Sequence, residues 1–283
     1  MCSPRAPHSI AIRVVPSKCV RILFVGDIFG RPGRDIVRDH LADVVSTRDV
    51  QLVVANGENA AAGFGLTAQL AEDILGLGVD VITSGNHVWD KREIVDYFRS
   101  AERNGSNARR VLRPANYPEG TPGTGWYEGR TKNGTPFAVL NLQGRVFMVD
   151  NDDPFRTADA LLKNIQAKVV LVDIHAEATS EKVAMGWYLD GRVTAVLGTH
   201  THIPTADERV LPKGTAYITD VGMTGPYDSI IGVEKEQVIQ RFLTNVPSRF
   251  DPAKGDVRFS AVVIDCDAQS GRASAIERIS LRQ

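Results

Sequence analysis

The chain is poor in thiols, in net charge and in long apolar runs. Its three cysteines, Cys2, Cys19 and Cys266, are scattered through 283 residues with no C-x-x-C spacing. That excludes a disulfide framework and a thiolate metal site, and it points to a reducing compartment, so the cytoplasm is the expected location. The 33 Lys and Arg against 34 Asp and Glu leave a formal charge of −1, with no long block of one sign. An extended nucleic-acid surface and electrostatic docking on a membrane are therefore not expected. No apolar stretch approaches the roughly 20 residues that cross a bilayer. The start, "MCSPRAPHSIAIRVVPSK", lacks an apolar core with a small-residue cleavage site, so residues 1–20 read as a tail and not as a signal peptide. Histidine is scarce too: there are six in all, so their placement is informative.

What is present is an alternation of apolar runs and helical patterns. Residues 20–25 are apolar and end in Gly-Asp; "FGRPGRDIVRDHLADVV" then reads as a loop and a helix. "VQLVVANGENAAAGFG" is a second buried strand with a polar loop, "TAQLAEDILGLG" a helix, "VDVITSGNHVWD" a third strand and loop, and "KREIVDYFRSAER" another helix. After the Gly- and Pro-rich connection 104–125, "WYEGRTKNGTPFAVLNLQGRVFM" reads as a hairpin turning at Asn133-Gly134. "KVVLVDIHAEATSEKVAMGWYLD" is again strand, loop and helix, and the C-terminal segment has the alternation of a closing hairpin. The pattern predicts an α/β sandwich with mixed sheets, and the absence of repeats or composition breaks predicts one domain over residues 21–283.

Polar residues of a few types cluster where these strands end. They are Asp27 in "FVGDIFG", Glu58 and Asn59 in "NGENAAAG", Asn86 and His87 in "SGNHVWD", His175 in "VDIHAEA", and His200 and His202 in "VLGTHTHIPT". Residues 193–197 read as a strand that Gly198 breaks, which puts both of the last two imidazoles in a loop at the strand's C-terminal end. In open α/β sheets ligands sit at that edge. Singly, each residue could be a cap, a turn or a satisfied core group. Five strand ends doing the same thing point to metal. Oxygen and nitrogen donors without thiolate suit Mn, Fe or Zn. Seven candidate ligands are too many for one ion and enough for two sharing a bridging carboxylate, a device that hydrolyses phosphoesters. His8 and His40 lie outside this pattern and read as inert and structural.

The order GD…GEN…GNH…H…GTHTH resembles the calcineurin-like metallophosphoesterases, whose usual pattern is D-x-H, GD, GNH, H and G-H-x-H. Two departures stand out: Asp27-Ile28-Phe29 lacks the usual histidine, and Glu58 replaces the usual bridging Asp. With "GDIFGRPGR", "LRPANYP" and "DVGMTGP", these departures resemble the YmdB-like subfamily, from about residue 21 to the C-terminus. The resemblance implies a sandwich of two mixed β-sheets flanked by helices, and activity on 2′,3′-cyclic nucleotides. It also implies that Asp27, Asn59 and His202 bind one metal, that Asn86, His175 and His200 bind a second, and that Glu58 bridges them. Asn59 would fill the position of the absent histidine, and His87 would be the general acid beside the leaving oxygen.

The expected reaction is hydrolysis of 2′,3′-cyclic nucleotides to 3′-nucleotides by a metal-bound hydroxide, with Fe or Mn as the first choice of ion and Zn as the next. The competing readings are a phosphomonoesterase or nuclease on the same centre, and a nucleotide-binding regulator with incidental turnover. Trp126, Tyr127 and Trp187, with the stretch 104–125, are read as surface beyond a monomer's usual share, so a homo-oligomer, dimer or tetramer, is expected.

Overall fold

The structure, a computed structural model, describes residues 19–102 and 106–283. The expected tail lies outside the described residues up to residue 18, and His8 with it. In chain order, β1 (Cys19–Val25) leads to α1 (Gly30–Thr47), β2 (Leu52–Asn56), α2 (Ala68–Gly76), β3 (Val81–Thr83) and α3 (Ile94–Arg99). Then come β4 (Trp126–Arg130), β5 (Pro136–Gln143), α4 (Pro154–Leu162), β6 (Val169–His175), α5 (Thr179–Leu189) and β7 (Ala195–Thr199). The chain closes with β8 (Arg209–Val210), β9 (Ala216–Ile218), β10 (Gly225–Pro226), α6 (Lys235–Thr244), β11 (Val257–Asp267) and β12 (Ala273–Arg282).

Two mixed sheets result. One runs β10-β11-β1-β2-β3, with β12 beside β11; the other runs β4-β5-β6-β7-β9-β8. The period-2 pattern of the strands decides which side chain faces which layer. Ile22, Phe24, Leu52 and Val54 of the first sheet meet Val139, Leu171 and Leu197 of the second in the core between the sheets. The residues in between, Leu23, Val25 and Val53, turn outward onto Ile36 and Leu41 of α1 and Ile74 of α2. Leu140, Val172 and Val196 turn outward onto Met185 and Leu189 of α5. Each of these buried side chains stabilises the fold by roughly 1.5–3 kcal/mol relative to exposure. β2, β6 and β7 are buried throughout because both of their faces are covered, whereas β4, β8 and β12 leave residues in solvent.

Several expectations need correction. Gly198 does not break its strand: β7 continues to Thr199, with Gly198 opposite Ile174 and Thr199 opposite His175. A glycine stands there because a Cβ would lie 1.7 Å from the Thr219 carbonyl oxygen. The helix expected from residue 91 begins only at Ile94 and passes into a 3-10 turn at Ser100–Glu102. Arg113, in the Gly- and Pro-rich connection, donates to the carbonyls of Pro114, Thr121 and Pro122, so it scaffolds that loop. Trp126 packs partly buried on the outer core of the second sheet and Tyr127 on the core between the sheets; of the three aromatics only Trp187 is exposed. α4 and α6 had no counterpart in the sequence reading.

Candidate metal centre

Parallel pairing aligns the C-terminal ends of β1, β2 and β3 in one sheet and of β6 and β7 in the other, and the two sets meet across the sandwich, where every candidate residue gathers. His175 is the hub. Its Nε2 lies 3.0 Å from Glu58 Oε1, 3.0 Å from Asn86 Oδ1 and 3.0 Å from His200 Nδ1. Asp27 sits behind, with Oδ1 4.0 Å from His175 Nδ1 and Oδ2 accepting from the His200 backbone N–H at 3.4 Å. Asn59 donates to Glu58 Oε1 and to His202 Nε2, both at 3.1 Å. Asn59 thus turns its amide nitrogen, not its oxygen, toward the cluster, and ligation would need the amide to flip. Gly85 permits the crowding: a Cβ there would fall 2.2 Å from His175 Nε2 and 2.4 Å from Glu58 Oε2.

The spacing of His200 and His202 now has a backbone explanation. Both have left-handed φ, 102° and 66°, a conformation that side-chain-bearing residues adopt at a cost of order 1–3 kcal/mol and that tertiary contacts must hold. The hold comes from behind. Lys182 of α5 is fully buried, and its Nζ donates to the Thr199 carbonyl at 2.8 Å and to Asp220 at 2.7 Å. Asp220 also accepts from the Thr201 backbone N–H and hydroxyl. A buried ion pair is tolerable when further hydrogen bonds satisfy it, as here.

Outer contacts fix each imidazole. His202 Nδ1–H donates to the Ile231 carbonyl at 2.8 Å, which leaves Nε2 facing the cluster. His175 Nδ1–H donates to Thr199 Oγ1 at 2.8 Å, and that hydroxyl donates to Asp173 at 2.7 Å. Asp173 is in turn held by Asn56 and Thr83 from the facing sheet. Such outer partners set tautomer and basicity in metal-binding histidines. Charge follows the same lines. Burial disfavours ionised Glu58, but the His175 charge and hydrogen bond bring its carboxyl down to about 2. Burial raises Asp27 well above the usual range. Burial, with the adjacent His175 charge, pushes His200 down to about 3, and burial lowers His202.

These residues fit divalent cations. Asp27 Oδ1 is buried with no hydrogen-bond partner among the described residues. Donor atoms of Glu58, His175 and His200 all lie within 4.8 Å of one another. The donors are oxygen and nitrogen, the set that suits first-row transition ions.

His87 stands at the flank. Its backbone N–H donates to Glu58 Oε2 at 3.2 Å, its Nδ1 pairs with Asp90 at 2.8 Å, and the Phe64 ring meets it edge-on at 5.1 Å. Nε2 has no hydrogen-bond partner among the described residues, and the ring lines a cavity of about 710 Å³ with Asn59, His200 and His202. His40, in α1, is remote from this constellation. Sequence reasoning missed Asp90, Asp173, Lys182, Thr199, Asp220 and Ile231. Lys182, which follows Glu181 on α5, carried no signal of its burial. Ile231 acts through its carbonyl, for which a sequence holds no signal.

This two-sheet α/β sandwich, with its polar edge, is the fold of metallophosphoesterase-like phosphatases. A novel phosphatase from Mycoplasma pneumoniae superposes with a TM-score of 0.86 at 32% identity, over 95% of each chain. The chain belongs to the YmdB-like protein family, whose model matches residues 23–279. A 2′,3′-cyclic-nucleotide 2′-phosphodiesterase of Bacillus subtilis (strain 168) is 51% identical over 92% of this chain and 96% of its own length. A hypothetical protein from Thermus thermophilus superposes with a TM-score of 0.85 at 45% identity, over 93% of this chain and 100% of that one.

Proposed function

We propose that this chain is a phosphodiesterase that opens 2′,3′-cyclic nucleotides to 3′-nucleotides at a centre of two divalent transition-metal ions, iron or manganese first and zinc next. The observation that carries the reading is the convergence of Glu58, Asn86 and His200 on His175 Nε2. The activity named for the 51% identical relative supports the substrate. In this reading Asp27, Asn59 and His202 hold one ion, Asn86, His175 and His200 hold the other, and Glu58 bridges. When bound, such ions acidify a water and neutralise phosphoryl oxygens. The chain's own residues do the rest. Asp90 accepts from His87 Nδ1–H and fixes the ring, so it is the imidazolium form that carries a proton on Nε2 and gives it to the departing 2′ oxygen. The buried Asp173–Thr199–His175 chain keeps the hub from rotating. A five-membered cyclic phosphate is small enough to reach so enclosed a cluster, whereas a polynucleotide would want a basic groove.

The test incubates metal-loaded protein with 2′,3′-cyclic AMP and 3′,5′-cyclic AMP and separates the products. Predominant 3′-AMP from the 2′,3′ isomer is expected. Predominant 2′-AMP would overturn the orientation at His87. No turnover of that isomer beside brisk cleavage of a monoester would favour the second reading, a phosphomonoesterase. That reading draws support from the Mycoplasma pneumoniae structure, which is called a phosphatase.

Residues 21–283 act as one domain in this reading, supported by the pairing of β11, near the C-terminal end, with β1. The cytoplasm remains the proposed location, on the scarcity and scatter of cysteine. No helix among the described residues is long and apolar enough to cross a membrane. A homo-oligomer, dimer or tetramer, is supported by exposed Phe147, Val149 and Trp187, since large apolar side chains in solvent mark contact surfaces. Light scattering that returns a monomer at micromolar concentration would end that part of the proposal.

A further inference from the structure

α6 is an amphipathic helix with little to pack against. Only Val238 is buried, while Phe242 and Leu243 are 83% and 77% exposed. Four positions, Val238, Arg241 and Phe242 of the helix and Asn245 at its C-terminal cap, line the 710 Å³ cavity beside the metal centre. Their spacing is i, i+3, i+4 and i+7, so one continuous face of the helix forms the cavity wall. Asn245 ends the helix with a left-handed φ of 55°, which turns the chain back toward Phe250.

The cavity lining combines polar, reactive groups, Asn59, His87, His200 and His202, with apolar ones, Phe29, Ile231 and Val233, and with the α6 face. A volume of this size is in the range of small-molecule sites. On the α6 wall, Phe242 has no ring partner and Arg241 no ion-pair partner among the described residues. The Phe242 side chain stands in solvent. The Arg241 guanidinium lies 5.4 Å over the Phe250 ring. An exposed ring, a flat cation and the Asn245 amide on one wall suit a planar, uncharged heterocycle with hydrogen-bonding edges. A phosphate alone would leave the α6 wall without contacts.

We propose that the α6 face is a base subsite, in which the nucleobase of the substrate stacks on Phe242 while Arg241 and Asn245 meet its polar edge. The inference rests on the cyclic-nucleotide reading above and adds what recognises the nucleoside. Stacking accepts any base, since every base has a π-face. The subsite therefore separates base-bearing from baseless cyclic phosphates and discriminates little among bases.

The experiment compares kcat/KM for 2′,3′-cyclic AMP and for ribose 2′,3′-cyclic phosphate in metal-loaded wild type, Phe242→Ala and Leu243→Ala. Leu243 is the control, being exposed on the same helix but off the cavity wall. Wild type should prefer the nucleotide, and Phe242→Ala should erode that preference by about tenfold or more, chiefly through KM, as expected for loss of one stacked base. Leu243→Ala should keep the wild-type preference. Cleavage of both substrates with an undiminished preference in Phe242→Ala would overturn the subsite and leave the reaction standing. Equal erosion in Leu243→Ala would also overturn it, because the loss would then not come from the cavity. If wild type cleaves neither cyclic phosphate while hydrolysing monoesters, the cyclic-nucleotide reading itself fails and the subsite with it.

Discussion

Neighbouring residues in "GNH" and "GEN" have been given different tasks, and their surroundings explain why. Glu58 and His175 are fully buried and share a 3.0 Å contact, so neither can be lost without leaving the other's charge unmatched. His87 is half-buried and paired outward to Asp90. Replacing Glu58 by Ala should abolish activity and most metal binding. His87→Ala should retain near-normal metal content and lose roughly 10²–10⁴-fold in kcat, the usual size of an acid–base contribution. The loss should shrink for a substrate whose leaving group needs no proton. Elemental analysis of both purified variants decides the matter: a His87→Ala protein stripped of metal would make His87 a ligand and remove its role as acid.

The elements differ in how far they could be read in advance. Strands β1, β2, β6 and β7 are apolar on both faces, so their sequence runs are unambiguous, and the polar residue that ends or closely follows each run lands at the site. That is why Asp27, Glu58, His175 and His200 were all legible. The hairpin at Asn133-Gly134 was legible for its turn chemistry, with Gly134 at φ 85°. α4 carried a signal that went unread: Asp153 caps it by accepting from Phe155 and Arg156 N–H, and Pro154 opens it. α6 carried one as well: Val238, Ile239, Phe242 and Leu243 recur at helical spacing. Gly198 was misread because a glycine required by a carbonyl from another segment is indistinguishable in sequence from one that ends a strand. The outer partners of the site failed for the same reason. Lys182 and Asp220 lie 38 residues apart, and it takes the packing of α5 on β7 and the pairing of β7 with β9 to join them.

For the whole molecule, the centre ties metal content to folding through proton competition at His175. Asp27, Glu58 and Asp173 are fully buried carboxyls around one imidazole, and buried charge of one sign calls for a cation. After chelation, with Lys182 committed to Asp220, the cation left to these carboxyls is the proton. Burial opposes it, but Glu58, Asp27 and Asp173 carry the His175 pKa from an ordinary 6.5 up to about 9. A raised histidine stabilises the fold fully below its unfolded value, and the contribution fades as pH rises through the folded one. Glu58, lowered from an ordinary 4.5 to about 2, acts in the opposite sense, contributing above 4.5 and fading as pH falls toward 2. The chelated protein should therefore hold both contributions between about pH 4.5 and 6.5 and lose the histidine part toward pH 9. Metal demands the neutral imidazole, so its affinity should grow over that same interval. A ligand that binds only the folded state adds about 2.7 kcal/mol at a hundredfold excess over Kd. The Tm gap between metal-loaded and chelated protein should consequently widen from pH 6.5 to 9. Thermal scans at fixed free metal across that range test the coupling, and a gap that stays constant or narrows would remove His175 as the point of competition.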